Sequence, residues 1–142
     1  MTVHQLSVFL ENKSGTLVSV LRLLKKENIQ LIASTIADTA DYGIFRIICS
    51  EPEKAYSVLK EAGVAVSLCE VFAVALDDRP GQAADAIEMF AGEGISIAYL
   101  YSFLLNGKGV LIFRTDNAGK AAEVIASKGL NVIEEKDLSR LL

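Results

Sequence analysis

Displaced by 66 positions, the chain falls on itself without a gap. Val8 meets Val74, Leu10 meets Leu76, Gly15 meets Gly81, Glu27 meets Glu93, Ile29 meets Ile95 and Gly43 meets Gly109. The register runs on through Lys54 and Lys120, Ala55 and Ala121, Val58 and Val124, Gly63 and Gly129, and Val66 and Val132. The glycines, and Ile29 with Ile95, stand at the ends of periodic segments, where backbone geometry rather than chance selects the residue. Such a repeat restricts the fold to two copies of one supersecondary plan. It also settles what length leaves open, because 142 residues suit one ordinary domain or two of about 70. Two domains are expected, 1–69 and 70–142, meeting near Cys69 to Val71. Leu68-Cys69-Glu70-Val71-Phe72 contains no Pro, Gly or Ser linker, so the copies are expected to be held against one another.

Each copy reads in the same order. Leu6, Val8 and Leu10 alternate with Ser7, Phe9 and Glu11, the period of a half-buried strand. Asn12-Lys13-Ser14-Gly15 and Asp78-Arg79-Pro80-Gly81 then lead into helical runs in which Leu17, Leu21 and Leu24, or Ala83, Ile87 and Phe90, share a face. Two β-rich segments follow, 29–37 and 44–49 in the first copy, 95–105 and 110–115 in the second, where Asn106-Gly107 is a hairpin signal. Second helices are expected over 52–62 and 118–128, with Ser50 and Glu53 as a capping box and Asp116 as the matching cap. Gly63 and Gly129 stop them, and 64–68 and 130–133 supply a last strand. Strand, helix, strand, strand, helix, strand is the ferredoxin-like order. The fold class is therefore α+β, two tandem ferredoxin-like βαββαβ domains with antiparallel sheets and helices on one face, joined side by side.

Apolar residues on both faces of the second copy's second strand, Tyr99, Tyr101 and Phe103 against Leu100 and Leu104, call for something to cover the open sheet face. A homodimer through that face or a free strand edge is expected.

Hydrophobic residues make up 51% and charged residues 23%, enough apolar material for a core. A net charge of -4 disfavours a phosphate-backbone binder, so nucleic acid is not expected as a partner. The longest apolar stretches fall short of a bilayer span, so no membrane association is expected. The first ten residues lack an export signal, which reads as cytoplasmic. Cys49 and Cys69 have no CxxC partner, and the single histidine, His4, reads as a flexible N-terminal residue. No metal site, cofactor or catalytic residue is expected.

The two turns before the first helices carry the chemistry. Gly15 and Gly81 remove the side chain where a ligand can approach the backbone, and the helix that follows presents unpaired N–H groups with partial positive charge. Asn12 and Asp78 add polar groups, and Lys13 and Arg79 add charge. An amide meets both a carboxylate and an ammonium, whereas an aspartate favours only the ammonium. Capping and turn propensity account for each residue singly but not for the duplication.

In this arrangement the chain resembles the ACT domain family of regulatory, allosteric modules that bind amino acids. Asp78-Arg79-Pro80-Gly81 is close to the family's turn, Asn12-Lys13-Ser14-Gly15 is a looser version with Ser14 in place of Pro, and Ile29 and Ile95 sit where the next strand opens. The resemblance covers nearly the whole chain, twice. It implies paired domains set edge to edge, with an amino acid between the turn of one and the opening of the second strand of its neighbour. Carried over, Asn12 and Gly15 would face Gln30 or Ser96, and Asp78 and Gly81 the other of these; Lys13, Ser14, Arg79 and Pro80 complete the ligand-binding set. It further implies a stand-alone regulatory protein acting on a partner enzyme of amino-acid metabolism. A ligand-free assembly module is the alternative. An acylphosphatase-like hydrolase is less well supplied, since it wants an Arg cradle and a water-positioning amide in one loop, and only Lys13 or Arg79 with Asn12 or Asp78 approximates this, in different copies.

Overall fold

The computed structural model describes residues 1–11, 13–38, 42–77 and 79–140. The elements follow the chain as β1 (Thr2–Glu11), α1 (Thr16–Lys26), β2 (Leu31–Asp38), β3 (Tyr42–Cys49), α2 (Pro52–Glu61), β4 (Val66–Leu76), α3 (Gln82–Ala91), β5 (Ile97–Leu105), β6 (Lys108–Thr115), α4 (Ala118–Lys128) and α5 (Glu135–Arg140). Among the described residues the chain divides into two compact units, one spanning His4–Cys69 and the other comprising Met1–Val3 with residues 70–140.

In the first unit β3 lies between β2 and β1 and is antiparallel to both, so β1 and β2 run the same way. The Phe9 N–H donates to the Ala65 carbonyl (2.9 Å), which brings the chain entering β4 alongside β1. Alternate residues Leu6, Val8 and Leu10 join Phe45 and Ile47 beneath α1 and α2, which contribute Val20, Leu24, Ala55 and Leu59. This is the two-residue period meeting the helical one, and it completes a βαββαβ unit.

The second unit repeats the plan. β6 lies between β4 and β5, antiparallel to both. A bridge between Val74 and Val132 takes the place of the last strand. Phe72, Val74, Leu111 and Phe113 pack under Phe90 of α3 and Ala121, Val124 and Ile125 of α4. Asn106 (φ 51) and Gly107 (φ 78) take the paired left-handed conformations that a two-residue hairpin turn requires.

Two local expectations are revised. Ser50 and Asp116 cap no helix. The N-caps are Glu51, which makes no side-chain cap bond, and Asn117, whose side chain accepts from the Lys120 N–H (3.0 Å). His4 lies inside β1 rather than in a loose terminus. On the face away from the helices, Val71, Ala73, Val110 and Ile112 are buried, although none belongs to the helix-side core. Leu138 of the short α5 is likewise buried outside that core. Glu135–Arg140 offers one apolar anchor among charged residues, so no periodicity announced this helix.

Candidate functional site

The two glycine turns have the same geometry. Gly15 stands at the start of α1 with φ 88 and ψ -12, and Gly81 at the start of α3 with φ 88 and ψ -6. Both are left-handed, the region that glycine enters without a Cβ penalty. The N-cap at each start is the glycine itself, which has no side chain to cap with, and the first helical N–H groups, of Thr16 and Gln82, donate back to the Lys13 and Arg79 carbonyls (3.4 Å each). The Lys13 N–H donates to the Glu11 carbonyl (2.8 Å), and the Arg79 N–H donates to that of Asp77 (2.8 Å). In the first turn alone, the Thr16 hydroxyl donates to the carbonyls of Glu11 (2.9 Å) and Lys13 (3.0 Å), bracing a turn that has Ser14 where the second has Pro80.

The cations of both turns are engaged locally. Lys13 Nζ is 2.7 Å from Glu11 Oε2, and Arg79 Nη2 is 3.6 Å from Asp77 Oδ2, all four side chains well exposed. The hydrogen bond from Lys13, reinforced by its charge, holds the Glu11 carboxyl below the usual glutamate range, and Glu11 raises the Lys13 ammonium in return. A ligand carboxylate seeking either cation competes with the acid already there. Asn12 and Asp78, the candidate polar anchors, lie outside the described residues.

Gln30 and Ser96 sit at the far end of their own units. Leu10 pairs with Gly43, whereas Leu31 pairs with Cys49, six residues away along β3 and so about 20 Å from the turn end. The pairs Leu76 with Gly109 and Ile97 with Thr115 give the same separation, about 20 Å, along β6. Each unit therefore keeps its turn group (Gly15 with Lys13 and Ser14, or Gly81 with Arg79 and Pro80) apart from its strand-opening residue.

At the strand openings the structure supplies what the sequence did not reveal. The Gln30 N–H donates to Ser50 Oγ (3.0 Å), and the Ser50 N–H donates to the Gln30 carbonyl (2.9 Å). In the second unit the Ser96 N–H donates to Asp116 Oδ1 (3.0 Å), and the Asp116 N–H donates to the Ser96 carbonyl (3.1 Å). These reciprocal latches occupy the backbone of both candidate residues, which leaves their exposed side chains as the groups open to a ligand. Ser50 and Asp116 are related by the 66-residue shift but differ in type, so identity matching passed over them.

Two cavities adjoin these groups. One of about 460 Å³ lies in the first unit beside Leu21, Leu24, Asn28, Gln30 and Ser50. Another of about 460 Å³ lies in the second unit between Arg79, Gly81 and Gln82 of the turn and Leu100, Ser102 and Leu104 of β5. Gln5 is fully buried and donates to Cys69 Sγ (3.5 Å), which accounts for the cysteine as a packing partner. Among the described residues no cluster of three or more His, Cys, Asp or Glu is placed to hold a metal ion, and no helix is long and apolar enough to cross a membrane.

Two ferredoxin-like units, each with a left-handed glycine turn and a latched strand opening, define a tandem ferredoxin-like protein. The chain belongs to the family described as the ACT domain pair, whose model matches residues 1–142. It is similar to a protein of known structure from Bacteroides thetaiotaomicron, with 41% identity over 99% of this chain and 97% of that one and a TM-score of 0.93. The ligand-free regulatory subunit of aspartate kinase from Thermus thermophilus shares the fold, with 13% identity, a TM-score of 0.61 and coverage of 87% of this chain and 91% of that one. So does E. coli aspartokinase III in complex with lysine and aspartate, with 14% identity and a TM-score of 0.53 over 89% of this chain and 30% of that one. No curated protein matches the sequence. The family is one of regulatory modules.

Proposed function

We propose that this ACT domain pair is a stand-alone regulatory protein, not itself an enzyme, that binds an amino acid and conveys its presence to a partner enzyme of amino-acid metabolism. The observation that carries this reading is the duplicated turn, with left-handed Gly15 and Gly81 each opening a helix. A carboxylate fits there, since the N–H groups of a helix's first turn and the helix dipole both favour an anion. The roughly 20 Å between turn and strand opening means that a site using both draws on two neighbouring ACT domains, of one chain or of two copies. Asn12, Lys13, Ser14 and Gly15 would then face Gln30 or Ser96, and Asp78, Arg79, Pro80 and Gly81 the other.

Asn12 is the better anchor in this reading, because an amide donates to the carboxylate and accepts from the ammonium, whereas Asp78 repels the carboxylate. A thermal-shift screen of the twenty amino acids tests the proposal, with about 2.7 kcal/mol of stabilisation expected at 100 times the dissociation constant. Calorimetry should then show Asn12→Ala losing about 1.5–3 kcal/mol of binding, more than Asp78→Ala. A larger loss on Asp78→Ala would reverse the ordering, with Arg79 taking the carboxylate. If none of the twenty binds, the second reading gains, an assembly module, which the engaged backbones of Gln30 and Ser96 favour.

A further inference from the structure

We propose that the second unit carries, between α3 and the end of α4, a docking groove for a basic amphipathic helix of a partner protein. This rests on the partner half of the proposed function and not on the binding of an amino acid. Two cavities, of about 250 and 340 Å³, adjoin along α3 and share Asp85 and Met89. The first is lined by Leu76, Ala86 and Leu130, and the second runs past Glu88 to Gly92 and Glu93, with Lys128 on its α4 side. Leu76, Met89 and Leu130 are half-buried and packed on the core of this unit, which gives the groove an apolar floor.

The shape suits a helix. Asp85, Met89 and Gly92 fall on one face of α3, and Gln82 to Gly92 spans about 15 Å. The backbone groups of α3 and α4 are spent inside those helices, so the groove offers no strand edge and side chains must recognise the occupant. Met89 supplies an adaptable surface for an apolar anchor. Charge then selects the partner. Among the described residues the groove is rimmed by exposed Asp77, Asp85, Glu88 and Glu93, of which Asp77 is shared with Arg79 (3.6 Å), and Lys128 is the one lining cation. The positions 66 residues earlier reverse this, with Arg22 for Glu88, Ser19 for Asp85 and Lys26 for Gly92. Residues 70–142 hold eleven acidic and seven basic side chains, against seven of each in 1–69, so the net charge of -4 arises wholly in this half. The common plan therefore does not require an acidic groove. A helix bearing Lys and Arg beside one or two apolar side chains complements both rim and floor.

The test uses the full chain and a synthetic amphipathic helix of about fifteen residues as probe, with Leu at helical spacing flanked by Lys and Arg. Fluorescence anisotropy, with no amino acid present, should show binding that Asp85→Lys with Glu88→Lys weakens about 100-fold. Gly92→Leu should weaken it about 10-fold without changing charge, by filling the groove. Gly92 has φ -62, and a Cβ there meets only the Glu88 and Met89 carbonyls at 3.4 and 3.9 Å, so circular dichroism should be unchanged. Glu53→Lys with Glu61→Lys, the same charge change on exposed positions of α2, should weaken binding less than about 3-fold. Equal weakening by the α2 pair, equal binding of a scrambled probe, or no binding overturns the groove. A probe that fails while an amino acid still stabilises the chain leaves the amino-acid reading standing, and a probe that binds in the groove when none of the twenty does supports the groove and strikes that reading alone. If Asp85→Lys with Glu88→Lys lowers the sedimentation mass of the chain by itself, the occupant is a second copy and the partner helix is overturned.

Discussion

The two units share a backbone plan and differ in how they fill it. Beneath its helices the second unit stacks Phe72, Phe113 and Phe90, with ring centroids 5.5 and 5.1 Å apart along the series. The first unit has Leu6, Ile47 and Leu24 at the positions 66 residues earlier, and Leu24 borders a cavity of about 460 Å³. Their outer strands diverge as well. β2 reads LIASTIAD, polar at Ser34 and Thr35 and closing on Asp38, whereas β5 reads IAYLYSFLL. The difference teaches that the turns and latches belong to the common plan, while core volume and edge character vary between copies.

The largest expected effect breaks the core comparison. Phe90→Ala should destabilise by about 3–5 kcal/mol, because a fully buried ring in contact with Phe113 leaves a void. Leu24→Ala should cost less, about 2–3 kcal/mol, because its surroundings already border open space and can collapse. Urea unfolding of each variant checks this, and an equal loss would show that the cavity beside Leu24 is no relief.

The turns should behave alike. A Cβ built on Gly15 or Gly81 meets nothing within 4 Å, so the strain of Gly15→Val or Gly81→Val is conformational, about 1–3 kcal/mol and similar in both units. Amino-acid binding should fall further than stability, because the branched side chain occupies the approach to the helix N–H groups. Loss of the far-ultraviolet signal in both variants would assign the glycines to turn geometry alone.

The latches are expected to differ slightly. Asp116→Ala should cost about 1–1.5 kcal/mol and Ser50→Ala about 0.5–1, since a carboxylate is the stronger acceptor for the N–H it receives. Hydrogen exchange at the Ser96 and Gln30 amides should quicken in the respective variants.

The smallest effect sharpens the comparison of the two ion pairs. Lys13→Ala and Arg79→Ala should leave the melting temperature nearly unchanged, as exposed pairs do. Glu11 nevertheless reports on its partner. Its folded pKa is depressed, so its contribution is present above the ordinary glutamate value and fades as pH falls through the lowered one. Titration of Glu11 by nuclear magnetic resonance should move up toward that ordinary value in Lys13→Ala and stay in place in Arg79→Ala.

The sequence by itself determined the duplication, the order of elements and the two turns. Each rests on local signals: alternation in β1, the apolar stripe of α1, a glycine held at positive φ, an Asn-Gly hairpin. Such signals are written within a few residues because they reflect backbone sterics and side-chain period. Tertiary structure decided the rest. Ser50 and Asp116 resemble helix caps, and only the approach of each to a strand opening 20 residues earlier turns them into latches for Gln30 and Ser96. Leu100 and Leu104 read as buried material in any apolar run, and their exposure follows from the outermost place of β5 in the strand order. The separation of about 20 Å between turn and strand opening is likewise set by pairing through β3 and β6. Hydrogen-bond partners, exposure and distance are relations between remote segments, and the chain encodes them only through the whole set of contacts that packing selects.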